Sequence, residues 1–240
     1  MSHFAFEHGQ MWNTYRDMED QFTNYLEYVP LTSDHKQVYS SKLLRLMLQL
    51  GGYVDTAFKE MAFCSSFDGN NDCLEIRKKA EKNRIISFDF YLKTFEPIYQ
   101  LSKKGVAVKG LGAFLYRPVL IDRFLPFKTE PKKTTPKWWQ AYNGIKHDMI
   151  RNLKKANVEN TLSVLGGAFL LNAIFEPSLI SLLKENVARA YFSSESNSKL
   201  TECSKEDAEK IIMHERVPRK ELRVRVDSRL FICMRTFKAR

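Results

Sequence analysis

The sequence predicts a mainly α fold, a helical bundle with a small β component. Three observations predict it. Several long stretches place apolar side chains at helical intervals, ELRVRV (221–226) alternates with period two, and the composition is 44% apolar and 28% charged over 240 residues. That length and composition exclude a collagen-like or disordered chain and allow a sizeable core without staples.

The first helix is read over Met11 to Tyr28, where Trp12, Tyr15, Met18, Phe22, Tyr25 and Leu26 share one face. Pro30 stops it, because the residue before proline avoids the α region. A second helix is expected from Ser33 or Asp34, either of which can cap it, to about Phe63. Gly51 and Gly52 inside it cost helix propensity, which points to a close helix crossing or a kink. FDGNND (67–72) reads as a loop, followed by short helices at 73–82 and 87–101. KGVAVKG (104–110) and GAFLYRPVLID (112–122) are β-branched and glycine-punctuated, and predict a small hairpin. A connector rich in proline and lysine (126–136) leads to a third long helix, with Thr135 as cap and Pro136 at its first position, broken near 154–157. Helices are then expected at Val158–Phe175 and Pro177–Phe192. The polar stretch 193–207 reads as a linker, and 221–226 with 229–237 form a hairpin turning at Asp227 and Ser228. This gives a helical domain over 1–195 and a basic appendage over 196–240.

The chain carries 38 basic against 28 acidic residues, net +10. The surplus is concentrated: residues 101–156 sum to +10 and residues 215–240 to +6. Clustered cations suit a polyanionic partner such as RNA or another nucleic acid, and also suit a solvated surface. The longest apolar stretch, Leu162–Phe175, spans fourteen residues, short of the roughly 20 a membrane span needs, and so reads as a core helix. With no signal segment visible, the expectation is a cytoplasmic protein without a membrane partner. Cys64, Cys73, Cys203 and Cys233 form no C-x-x-C pair, and neither they nor the five histidines have zinc-ligand spacing. No metal and no cofactor is expected. Neither a P-loop nor a dinucleotide-binding glycine pattern occurs.

KWWQAYNGIKHDMIRNLKK (137–155) holds the densest chemistry. On one helix Trp138, Tyr142, Ile145 and Met149 form an apolar face. Asn143, His147 and Arg151 form a polar stripe with Lys146 beside it. Histidine moves protons near neutral pH, arginine or lysine neutralises charge developing on phosphorus, and an amide orients a phosphate oxygen or a ribose hydroxyl. Asn143 and His147 can equally bond a neighbouring helix end or a buried carbonyl. The candidate catalytic set is His147, Arg151, Asn143 and Lys146. Lys137, Trp139, Lys154, Lys155, Arg223 and Arg225 are candidate nucleic-acid contacts, Trp139 by stacking, although paired tryptophans on a helix also serve as core. Asp55 and Lys59, one turn apart, either reach this helix or form a surface pair.

The pattern P-K-W-W-x-x-Y-N-x-x-K-H-D, Pro136 to Asp148, in a basic helical chain resembles the HEPN superfamily. The resemblance extends over roughly 11–192, with only the motif specific. It implies a helical bundle, a homodimer with facing motif helices, and metal-independent endoribonuclease activity in bacterial defence or toxin–antitoxin systems, with an antitoxin as a further partner. Other members only bind nucleotides or act as scaffolds. The chain departs from the family signature, an arginine separated from the histidine by four to six residues: Tyr142, Ala141 and Gln140, five to seven positions before His147, stand where it belongs. Arg151 and Lys146 are the substitutes. The alternative to an enzyme is a non-catalytic helical module that binds nucleic acid or protein, with much of the contact from the basic C-terminal hairpin.

Overall fold

The computed structural model describes residues 8–109, 123–194, 197–214 and 221–237. Helix α1 (His8–Leu26) buries the predicted stripe of Trp12, Tyr15, Met18, Phe22 and Leu26. Helix α2 (Ser41–Phe63) starts later than expected, capped by Ser40, whose Oγ accepts from the Leu43 amide at 3.2 Å. The residues before it serve another purpose. Ser33–His35 is a single 3-10 turn, and the carbonyls of Lys36 and Val38 accept from the amides of Glu159 and Val158. A strand-like contact to a distant helix start thus outcompetes the local helical pattern. Helices α3 (Asn71–Glu81) and α4 (Phe88–Tyr99) follow close to their predicted bounds.

Two short strands come next, β1 (Val106–Val108) and β2 (Arg123–Phe124), which pair antiparallel. The other predicted arm of that hairpin, 112–122, lies outside the described residues. Helix α5 (Lys137–His147) has Pro136, not Thr135, at its N-cap, and ends seven residues before the start of the expected break at 154–157. The cause is Asn152, whose Nδ2 donates to the carbonyls of Gly144 and Asp148 at 2.9 and 2.8 Å. It satisfies end groups that a continuing helix would have bonded itself.

Helix α6 (Val158–Ile174) is buried on nearly every side, as expected of an apolar helix without a polar face. Asn157 caps it, accepting from the Asn160 amide at 2.9 Å. At Phe175 the chain bends by 84° into α7 (Glu176–Lys184). Among the described residues no single helix is long and apolar enough to cross a membrane.

The region 177–192 is not one helix. Asn186, in the left-handed region at φ 61°, closes α7, and strand β3 (Ala188–Ser194) begins. Alternation of buried Ala188 and Ala190 with exposed Arg189 makes it a half-buried strand. The expected linker 193–207 holds strand β4 (Asn197–Glu202) and the start of helix α8 (Lys205–His214), capped by Ser204. The boundary expected at 195/196 thus falls inside the β3–β4 hairpin. Strands β5 (Glu221–Asp227) and β6 (Phe231–Phe237) form the predicted C-terminal hairpin.

The fold is therefore mainly α, but its β component exceeds a hairpin. One antiparallel sheet runs in the order β2-β1-β6-β5-β3-β4. Leu222, Val224 and Val226 turn one face of it inward, and Phe231 stacks on Phe169 of α6 at 5.7 Å. The β5–β6 turn is also bonded to α1. The carboxylate of Glu19, buried at 2% exposure, accepts from Tyr15 Oη, Ser228 Oγ and the amides of Arg229 and Leu230, at 2.6–3.1 Å. Four donors satisfy a charge that burial alone would penalise.

Candidate functional site

Helix α5 owes its position to a glycine. A Cβ on Gly51 of α2 would lie 2.3 Å from the Tyr142 ring, so the two helices approach as closely as they do only because residue 51 has none. This is the crossing that the glycine pair pointed to. Gly52 has open space beside it. Trp138, Trp139, Tyr142 and Ile145 are all buried, and the Trp138 indole donates to the Pro126 carbonyl at 2.7 Å. With one face of α5 fixed in the core, Asn143, Lys146 and His147 fall toward solvent.

They fall on the wall of a cleft of about 530 Å³. Its other walls come from α2, through Asp55 and Lys59, and from the loop between α3 and α4, through Asn83 and Arg84. Asp55 is fully engaged: it accepts from Lys59 Nζ at 2.6 Å and from Tyr91 Oη at 3.0 Å. Burial drives the Tyr91 phenol far above its usual range and the Asp55 charge adds to this, so Tyr91 remains a donor. Burial also raises Tyr142, again with Asp55 contributing. Lys146 lies over the Tyr142 ring, 5.9 Å from its centroid. Among the described residues neither ring nitrogen of the exposed His147 has a hydrogen-bond partner.

The structure brings together only part of the predicted stripe. Arg151 is not on α5, which ends at His147; its side chain is 88% exposed and ion-paired with Asp148 at 3.4 Å. Met149, expected on the apolar face, also lies beyond the helix end and is 50% exposed. Trp139 stacks on Phe88 at 4.0 Å with 19° between the rings and is 8% exposed, so its face is covered by core rather than open to a base. Lys137 is paired with Glu159 at 3.0 Å. Lys154 and Lys155 are exposed on a 3-10 turn after α5, with Lys155 reaching back over Gly144. Arg223 and Arg225 lie on the sheet, bonded to Glu221 and Asp227.

Arg84 is the cleft cation that the sequence reading missed. Its signal is the K-N-R run after α3, where Asn83 adopts φ 50° and stops the helix. No alternation or spacing links it to α5. Asp55 and Lys59, by contrast, do reach the motif helix's cleft. Among the described residues no three His, Cys, Asp or Glu side chains gather as metal ligands would. Compared with family models, with curated proteins and with solved structures, the chain matches none.

Proposed function

We propose that this protein is an RNA-directed, HEPN-like endoribonuclease whose site is the α5 cleft. The observation that carries the reading is the exposed, unengaged imidazole of His147, beside Asn143 and among Lys146, Lys59 and Arg84 in one cleft. A phosphodiester needs both kinds of group. His147 takes the proton from the ribose 2′-hydroxyl or gives one to the leaving oxygen. Lys146 and Arg84 face the charge that builds on phosphorus, and Asn143 orients a phosphate oxygen. Arg84, reaching in from the α3–α4 loop, takes the part that the family signature gives to an arginine before the histidine and that Arg151 is placed too far out to play. The family likeness adds a homodimer and a defence or toxin–antitoxin setting to this reading.

The test is RNA incubated in EDTA with the wild type and with His147→Ala. Cleavage by the wild type alone supports the assignment, and equal cleavage by both removes His147 from it. A binding module is the second reading, favoured by the absence of an arginine before His147. It predicts no cleavage, but RNA affinity that falls with salt and drops in Arg84→Ala and Lys146→Ala.

A further inference from the structure

On the side of the molecule where α1 meets β3 and β5 there is a second cavity, of about 610 Å³. We propose that it binds the phosphate groups of a nucleotide. Four arginines line it: Arg16 from α1, Arg189 from β3, Arg225 from β5 and Arg229 from the β5–β6 turn. The volume falls in the range of small-molecule sites.

The charges there do not balance. The carboxylate of Glu19 is already saturated by its four donors. Asp20 is held by Arg229 at 2.8 Å. Asp227 takes Arg225 through both oxygens at 2.7 and 3.1 Å, and Lys109 lies 3.8 Å from it as well. Every acid in the cavity is thus engaged. Arg16 and Arg189 are exposed and, among the described residues, have no hydrogen bond or ion pair.

The register sharpens the imbalance. Arg189 and Arg225 are directly opposed on neighbouring strands. Like charges placed so repel, and the arrangement is relieved by an anion between them. Guanidinium groups meet phosphate oxygens through paired N–H donors, and Asp227 already holds the Arg225 fork from one side. Tyr191, two residues along β3 from Arg189, supplies an aromatic ring on the same wall for a base. This site shares no residue with the α5 cleft, and the proposal does not rest on the function assigned there.

The test is thermal denaturation and titration calorimetry of the whole chain with ADP, inorganic pyrophosphate, adenosine and a short single-stranded oligoribonucleotide. ADP and pyrophosphate raise the melting temperature; adenosine does not. Arg189→Ala and Arg16→Ala each weaken ADP about tenfold, the loss expected for one charged hydrogen-bonding partner. Both side chains are exposed, so the variants keep the wild-type circular dichroism. If the oligoribonucleotide binds with the same dependence on Arg16 and Arg189 while ADP does not, the phosphates belong to a strand rather than to a free nucleotide. No shift with any phosphate-bearing probe overturns the proposal. So does a shift as large with adenosine as with ADP, or one unchanged in the double variant.

Discussion

Two adjacent glycines in α2 give identical substitutions opposite outcomes. Alanine at either position removes the helix penalty of glycine, about 1 kcal/mol. At Gly52 nothing lies within 4 Å of the new methyl group, so the full gain is realised. For a domain of this size that raises the melting temperature by about 2–4 °C. At Gly51 the methyl carbon would sit 2.3 Å from two carbons of the Tyr142 ring and 2.7 Å from a third. Carbon atoms pack at about 3.5–4.0 Å, so the ring, anchored in the core, must move by more than about 1 Å. Overpacking of this kind costs about 3 kcal/mol, the upper end of its usual range. After the propensity gain, Gly51→Ala is destabilised by about 2 kcal/mol and melts roughly 4–8 °C below wild type. Denaturation scans of both variants, with urea titrations as a check, measure the difference. The Tyr142→Leu background supplies the mechanism: with the ring gone, Gly51→Ala costs little, and the double-mutant cycle reports the coupling. A Gly51→Ala protein as stable as Gly52→Ala would refute the close crossing and, with it, the account of how α5 is placed.

Glu19→Ala leaves Ser228, Tyr15 and two backbone amides short of their acceptor, at a cost of about 3 kcal/mol or more, read from urea denaturation; a loss below about 1 kcal/mol would mean the carboxylate does not tie α1 to the sheet. Burial pushes the thiols of Cys73 and Cys233 from about 9 up to about 11. The unfolded chain therefore loses these protons first, and stability falls as pH rises from about 9 toward 11. Cys73→Ala should flatten that slope in alkaline denaturation; an unchanged slope would assign it to other groups.

Much of the fold was legible because the periodic elements are long. The apolar stripe of α1, the all-round burial of α6 and the alternation of β5 each follow from local pattern. What the pattern missed was decided across distance. Strand β1 lies within the run 104–110 that predicted it, but β2 spans only two residues, too few for any periodicity, and is held by its pairing with β1. The end of α5 is set by the side chain of Asn152, which took Arg151 and Met149 out of the faces that helical spacing gave them. The site divides the same way. Asn143, Lys146 and His147 were visible as neighbours on one helix, whereas Arg84 joins them only through the packing of α2 and the α3–α4 loop beside α5.

The seating of β6 between β1 and β5 bears on the order in which the molecule can assemble. During synthesis β1, α6 and the Phe169 ring are complete long before Phe231 exists to cover them. Until then β1 offers an open edge and α6 an uncovered apolar flank, the two features that draw unfinished chains together. Glu19 waits longer still, for partners up to 211 residues further along. Loop closure adds an entropic cost to these contacts, and they cannot form until the C-terminal strands have been made. The C-terminal strands thus act as the clasp of the fold, and a nascent chain is most exposed to aggregation just before they dock.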